Sequence, residues 1–243
     1  MTTYVLVHGA WGGSYGWREF APLLRERGHE VFTPSLTGLG EREHLSGPKV
    51  NLSTHVQDVV SVFEMEDLQD VVLVGHSYGG MVVTGAADKV SDRVSHLVYE
   101  DAFLPKDGES CSDLGGAGGT SAFRQRLVDG WKVPPNAAPA DAPVTPEMEA
   151  RARKRRPMPI DTLEEKVHLR LPLEEHGFSR TYVKAGGPPG ENNRRGGGAF
   201  WQAADYARSN RAWRYYELPC GHGIDRELPH AFAGILLELA ARE

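Results

Sequence analysis

Apolar residues along the chain fall into two alternating patterns. In the first, short runs stop abruptly at turn-forming residues: 4–7 leads into HGAWGG, 30–33 into Pro34, and 71–74 into GHSYGG. Such runs are too short for a helix, and the valine-rich first and third read as buried strands of a parallel sheet. In the second pattern apolar residues recur three and four apart. Trp17, Phe20, Leu23 and Leu24 share one side of a helix predicted over 17–27 and stopped by Gly28. Leu52, Val56, Val59, Val60 and Phe63 form the stripe of a second helix, with Thr54 and Gln57 at capping-box spacing near its start. A helix over 81–90 and a strand over 94–99 follow. The rhythm resumes with strands over 180–184 and 213–218, a helix over 200–209 between them, and a last helix that aligns Leu228, Phe232, Ile235, Leu236 and Leu239.

This alternation predicts an α/β fold: a mostly parallel sheet of about six strands, flanked by helices on both faces and joined by right-handed connections. Residues 105–178 break the pattern with many prolines, a glycine cluster at 115–119 and the basic run RARKRR at 151–156. A structureless loop of that length is out of place in a compact domain. The segment is therefore predicted to be a lid of short helices, inserted into a core built from 1–104 and 179–243. The basic run reads as a solvated face of that lid.

Composition narrows the function classes. With 243 residues, 40% hydrophobic and 25% charged, the chain can bury a sizeable core. A net charge of −6 gives no general attraction to nucleic acid or to an anionic membrane. The N-terminal MTTYVLVHG lacks the signature of a secretory signal, and no apolar stretch approaches the roughly 18 residues of a membrane span. Cys111 and Cys220, far apart, suggest no disulfide framework. A cytoplasmic protein acting on a small molecule is expected. No zinc-ligand spacing, phosphate loop or dinucleotide fingerprint is evident, so neither a metal nor a cofactor is expected. The triplet Asn51-Leu52-Ser53 reads as a turn before a helix rather than a glycosylation site.

The chemistry concentrates in three places. Gly75-His76-Ser77-Tyr78-Gly79 matches G-x-S-x-G directly after a strand and before a helix, the setting of a nucleophile elbow. There the serine occupies a strained turn that tolerates only small neighbours, and the following helix N-terminus offers N–H groups to a developing oxyanion. HGAWGG follows the first strand. It is placed to supply the second oxyanion donor, Ala10 (or else Trp11), beside the amide of Tyr78. Cys220-Gly221-His222-Gly223 follows the last strand, which puts His222 at the sheet edge of Ser77, where a general base is needed. For the acid that orients the base, Asp101 after the fourth strand is favoured; Glu191, Glu100 and Asp205 remain alternatives. Tyr15, Trp17, Tyr78, Phe103 and Trp131 are either pocket-lining aromatics or core. Cys220 reads as a small buried filler.

HGAWGG, GHSYGG and the terminal Gly-His before an amphipathic helix together resemble the α/β-hydrolase superfamily. The resemblance is greatest to its small esterase branch of plant methyl esterases, hydroxynitrile lyases and bacterial esterases, and it spans roughly 3–104 and 179–241. It implies the α/β-hydrolase fold and a cofactor-free site beneath the lid. It also implies Ser77 as nucleophile, His222 as base and the Ala10 and Tyr78 amides as oxyanion hole. Plant members usually carry an aspartate after the penultimate strand, where this chain has GGPPGENN at 186–193. That makes the Asp101 placement, known elsewhere in the superfamily, more attractive. Hydroxynitrile lyases have a lysine directly after the catalytic histidine; Gly223 stands there, which argues against stabilising a cyanide leaving group. The expected reaction is hydrolysis of a small carboxylic ester through an acyl-enzyme. Alternatives are a thioesterase, lactonase, acyl cyclase or lyase on the same scaffold, or a slow-turnover ligand-binding receptor.

Overall fold

Strand β1 (Thr3–Val7) sorts its side chains by alternation: Val5 and Val7 enter one core, Tyr4 and Leu6 the other, and all four are fully buried. A strand covered on both faces belongs in the interior of a parallel sheet. The computed structural model describes residues 1–115, 119–136, 145–187 and 198–241. After β1 come a single 3₁₀ turn (Ser14–Trp17), the short helix α1 (Ala21–Arg25) and β2 (Glu30–Phe32). The helix predicted over 17–27 is thus cut to its second half. Pro22 stands in the first turn of α1, where its missing N–H costs nothing, and Gly28 follows at φ 80°. Next are α2 (Leu52–Met65), β3 (Val71–His76), α3 (Gly79–Lys89) and β4 (Val94–Glu100). The cap of α2 lies one turn earlier than predicted. Asn51 Oδ1 accepts from Thr54 N, and Thr54 Oγ1 accepts from Asn51 N.

The 105–178 segment holds the short helices α4 (Cys111–Leu114) and α5 (Gly119–Arg124), strand β5 (Lys132–Val133), helix α6 (Pro146–Ala152), strand β6 (Met158–Pro159) and helix α7 (Asp161–Glu164). β5 and β6 pair antiparallel, an element the sequence reading did not contain. The basic run does more than face solvent. Arg155 lies over the Trp11 ring, Lys154 over Tyr15, and Arg156 pairs with Glu43 at 2.5 Å.

The core then resumes with β7 (Ser179–Ala185), α8 (Ala199–Ser209), β8 (Arg214–Leu218), α9 (Ile224–Glu227) and α10 (Pro229–Ala240). The main sheet has six parallel strands in the order β2-β1-β3-β4-β7-β8. One core, carrying Val59, Phe63, Leu73, Met81 and Trp201, lies under α2, α3, α8 and the 105–178 segment. The other, carrying Phe20, Leu24, Phe232 and Leu236, lies under α1 and α10. Trp17 and Tyr78 are buried core rather than pocket lining. Registers Val7↔Gly75, His76↔Glu100, Glu100↔Val183 and Ala185↔Leu218 bring the carboxyl ends of five strands to one edge. The chain switches direction between β1 and β3, the place where open α/β sheets bind ligands. Among the described residues no helix is long and apolar enough to cross a membrane.

Candidate active site

The turn after β3 is built by close approach. A Cβ on Gly79 would sit 2.7 Å from Val7 O, one on Gly75 2.8 Å from Gly79 O, and one on Gly80 would run into the Phe103 carbonyl. Only glycine lets α3 start this near β1 and the 101–104 loop. Between them Ser77 holds a φ of 56°, in the left-handed region that side chains avoid. Its backbone is fixed from the β4 side, its N–H donating to Glu100 O (3.2 Å) and its C=O accepting from Phe103 N (3.1 Å). Ser77 is half-exposed, whereas 71–76 and 78–88 are buried.

Those two contacts straddle Asp101, which is also left-handed, at φ 40°. Its carboxylate is buried and accepts hydrogen bonds at both oxygens. His222 Nδ1 donates to Oδ2 at 2.7 Å, and Lys184 Nζ donates to Oδ1 at 2.7 Å. Burial pushes the Asp101 carboxyl up. The hydrogen bond and charge of His222, then those of Lys184, outweigh burial and hold it below the usual carboxylate range. With Nδ1 committed to Asp101, the imidazole has Nε2 free of that bond, and the His222 side chain remains 45% exposed.

The loop after β8 is tied down at several points. His76 Nε2 donates to the His222 carbonyl (3.0 Å), and the two rings lie 4.7 Å apart. Glu100 Oε1 accepts from Asp225 N (2.8 Å), and Gly187 N donates to Cys220 O (2.9 Å). Phe200 also stacks on the His222 ring, centroids 5.0 Å apart and planes at 10°. Phe103 meets Phe200 edge-on at 4.9 Å, so of the aromatics in question it stands next to the site. Burial, with the charge of His222, pushes His76 well below its usual range, and burial with the charge of Asp225 pushes Glu100 well above its own. Cys220 is a buried thiol pushed up to about 11 by burial.

The loop after β1 is a turn closed by Gly12 N–H to Gly9 O, with Ala10 and Trp11 at its corners and Trp11 at φ 60°. Leu36 N donates to His8 Nε2 (3.1 Å), so Nδ1 carries the proton and donates to Gly9 O (2.8 Å). The turn is clamped from above as well. Trp11 Nε1 donates to Val133 O (3.0 Å), and Trp11 O accepts from Arg156 N (3.1 Å). Tyr78, which opens α3, buries its side chain and is hydrogen-bonded through its hydroxyl to His55 Nδ1 (2.9 Å).

The structure therefore brings the loops of Ser77, His222, Asp101, Ala10 and Tyr78 to one sheet edge. Of the alternative acids, Glu100 lies beneath the site, Asp205 pairs with Arg208 on the exposed side of α8, and Glu191 lies outside the described residues. His76, Glu100 and Lys184 support the site through partners 83 to 146 residues away, beyond any local sequence pattern. His76, Glu100 and Asp225 offer metal-ligand atoms within 4.8 Å of one another, but each already has a protein partner: His222 O, Asp225 N and Arg226 respectively. A cavity of about 650 Å³ lies to one side, lined in part by Leu104, Leu173, Ala203, Tyr206 and Trp213. Neither Ser77 nor His222 lines it.

Comparison with known proteins fits this geometry. The model of the alpha/beta hydrolase family matches residues 4–235. A carbendazim hydrolyzing esterase from Nocardioides sp. (strain SG-4G) is 54% identical over 114 residues, 47% of this chain and 47% of that protein. Methylesterase 8 from Arabidopsis thaliana is 34% identical over 119 residues, 45% of this chain and 40% of that one. The chain thus spans somewhat under half the length of these curated relatives. An extracellular alpha/beta-hydrolase from a Paenibacillus species, described as sharing structural and functional homology to Tobacco Salicylic Acid Binding Protein 2, superposes with a TM-score of 0.79. It is 25% identical, with 98% of this chain and 99% of that one covered.

Proposed function

The chain belongs to the alpha/beta hydrolase family, and on that premise we propose that it is a serine hydrolase that cleaves a carboxylic ester of a small organic molecule through an acyl-enzyme on Ser77. The observation that carries this reading is the 2.7 Å hydrogen bond from His222 Nδ1 to the buried Asp101, made on loops that flank the strained, half-exposed Ser77. The names of the esterase relatives agree with it.

In this reading Asp101 fixes the tautomer of His222, so that Nε2 is the basic nitrogen. The base takes the Ser77 proton as Oγ attacks the ester carbonyl. The amides of Ala10 and Tyr78 receive the oxyanion, one from a turn clamped by His8 and Trp11, the other at the positive end of α3. His222 then protonates the departing alcohol. Water attacks the acyl carbonyl as His222 takes its proton, and His222 returns that proton to Ser77 Oγ as the acyl group leaves as the carboxylic acid. The 105–178 segment acts as the lid and carries the groups that select the substrate.

The test is a screen of p-nitrophenyl and methyl esters of varied chain length, carbendazim included, alongside Ser77→Ala and His222→Ala. Each variant is expected to lose at least about 10³-fold in kcat, and a fluorophosphonate probe should label the parent protein, but not Ser77→Ala, at one site. Undiminished ester turnover by Ser77→Ala would refute the assignment.

A further inference from the structure

Lys184 stands where packing alone would place an aliphatic residue. It lies in β7 between strands β4 and β8 and is 1% exposed, and its neighbours Tyr182 and Val183 are buried in the two cores. An ammonium group taken out of water is costly unless firmly paired. Here Nζ donates to Asp101 Oδ1 and to Ala185 O, both at 2.7 Å, and lies 4.3 Å above the centre of the Trp201 ring. Ala185 N adds a longer contact to the same Asp101 oxygen, 3.4 Å. One carboxylate oxygen is thus held from β7 and the other faces His222.

We propose that Lys184 is a positioning residue for the reaction, holding Asp101 by Oδ1 so that Oδ2 stays aimed at His222 Nδ1. The inference rests on the assignment of Ser77, His222 and Asp101 made above. Asp101 is presented from a left-handed backbone at the end of β4, so its side chain needs a second anchor, and Lys184 supplies it from the next strand.

Other charged groups face the pair. His76 comes from the end of β3, Glu100 from β4, and Asp225, Arg226 and Glu227 from α9. Arg151 of α6 acts on His76 and Asp225 at longer range. Of these groups, Lys184 is the cation hydrogen-bonded to Asp101.

Lys184→Met keeps an unbranched side chain, one atom shorter, and removes the charge. It is expected to lower kcat by about tenfold to a hundredfold and to leave KM within about twofold. In the Asp101→Asn background the same change should have no further effect, because the group it acts through is gone. That double variant also relieves the unpaired buried charge, so it reports even if Lys184→Met alone does not fold. A wild-type kcat in Lys184→Met would overturn the proposal, as would a further loss of kcat in the double variant relative to Asp101→Asn. If Asp101→Asn itself turned over esters at the wild-type rate, the assignment of the acid would fail instead.

Discussion

Three residues other than glycine sit in left-handed backbone around the candidate site: Trp11 after β1, Ser77 after β3 and Asp101 after β4. Strain of this kind persists only where the surroundings enforce it: Ser77 and Asp101 are held by hydrogen bonds to the ends of the neighbouring strands, and Trp11 by its bonds to Val133 and Arg156 of the 105–178 segment. Ser77, His222 and Asp101 were legible in the sequence because glycine spacing and position after a strand mark them locally. Lys184 was not, since only the β4–β7 register reveals that it meets Asp101. Asp101→Asn tests the residue directly. It should cost on the order of 10⁴-fold in kcat through loss of the correct imidazole tautomer. Because it also leaves the buried Lys184 ammonium without its counter-charge, stability should fall by roughly 3–5 kcal/mol. Steady-state ester hydrolysis and urea unfolding measure the two.

At the level of elements, all six strands of the main sheet were located: the interior strands β1, β3, β4 and β7 are nearly continuous buried runs, while the edge strands β2 and β8 are only partly buried and follow from the strand–helix alternation around them. Ends of helices were less legible. Asn51 and Thr54 are both good capping residues, and the choice fell to Asn51 because its amide also donates to Glu165 in the segment beyond α7 (3.3 Å). Asn51→Ala should therefore cost about 1 kcal/mol for the cap. It should also loosen that segment, read as faster limited proteolysis near Glu165. The last helix, α10, follows the predicted stripe from its edge at Leu228, and Pro229 at its first position holds Leu228 out of helical geometry (φ −134°), which sets the short α9 apart from it. Asp225 N lies in the first turn of α9, where it has no partner within the helix, and it donates to Glu100. Within 105–178 the elements are short and take their shape from distant partners, such as Trp11 under Arg155, which no local pattern encodes.

For the molecule as a whole, the buried histidines set the response to acid. His8, His55, His76 and His96 are each lowered from the ordinary 6.5, first by burial, with His55 and His96 at about 4. Each binds a proton more readily unfolded than folded, so stability is full above about 6.5 and drains as pH falls toward 4. The depressed Asp101 works in the same direction below its own ordinary value. The urea midpoint should accordingly be clearly lower at pH 5 than at pH 7.5; equal midpoints would contradict the buried neutral state of these rings. One of them has a further part. His76 directly precedes Ser77 and grips the His222 carbonyl, while Glu100 directly precedes Asp101 and grips the turn just past His222. The loop is thereby moored to the same two peptides that present its partners. If β3 and β4 breathe or slide, their moorings travel with them, and the three side chains keep station with one another rather than with the rest of the scaffold. Transplanting Ser77, Asp101 and His222 alone onto another sheet would leave this self-registering harness behind.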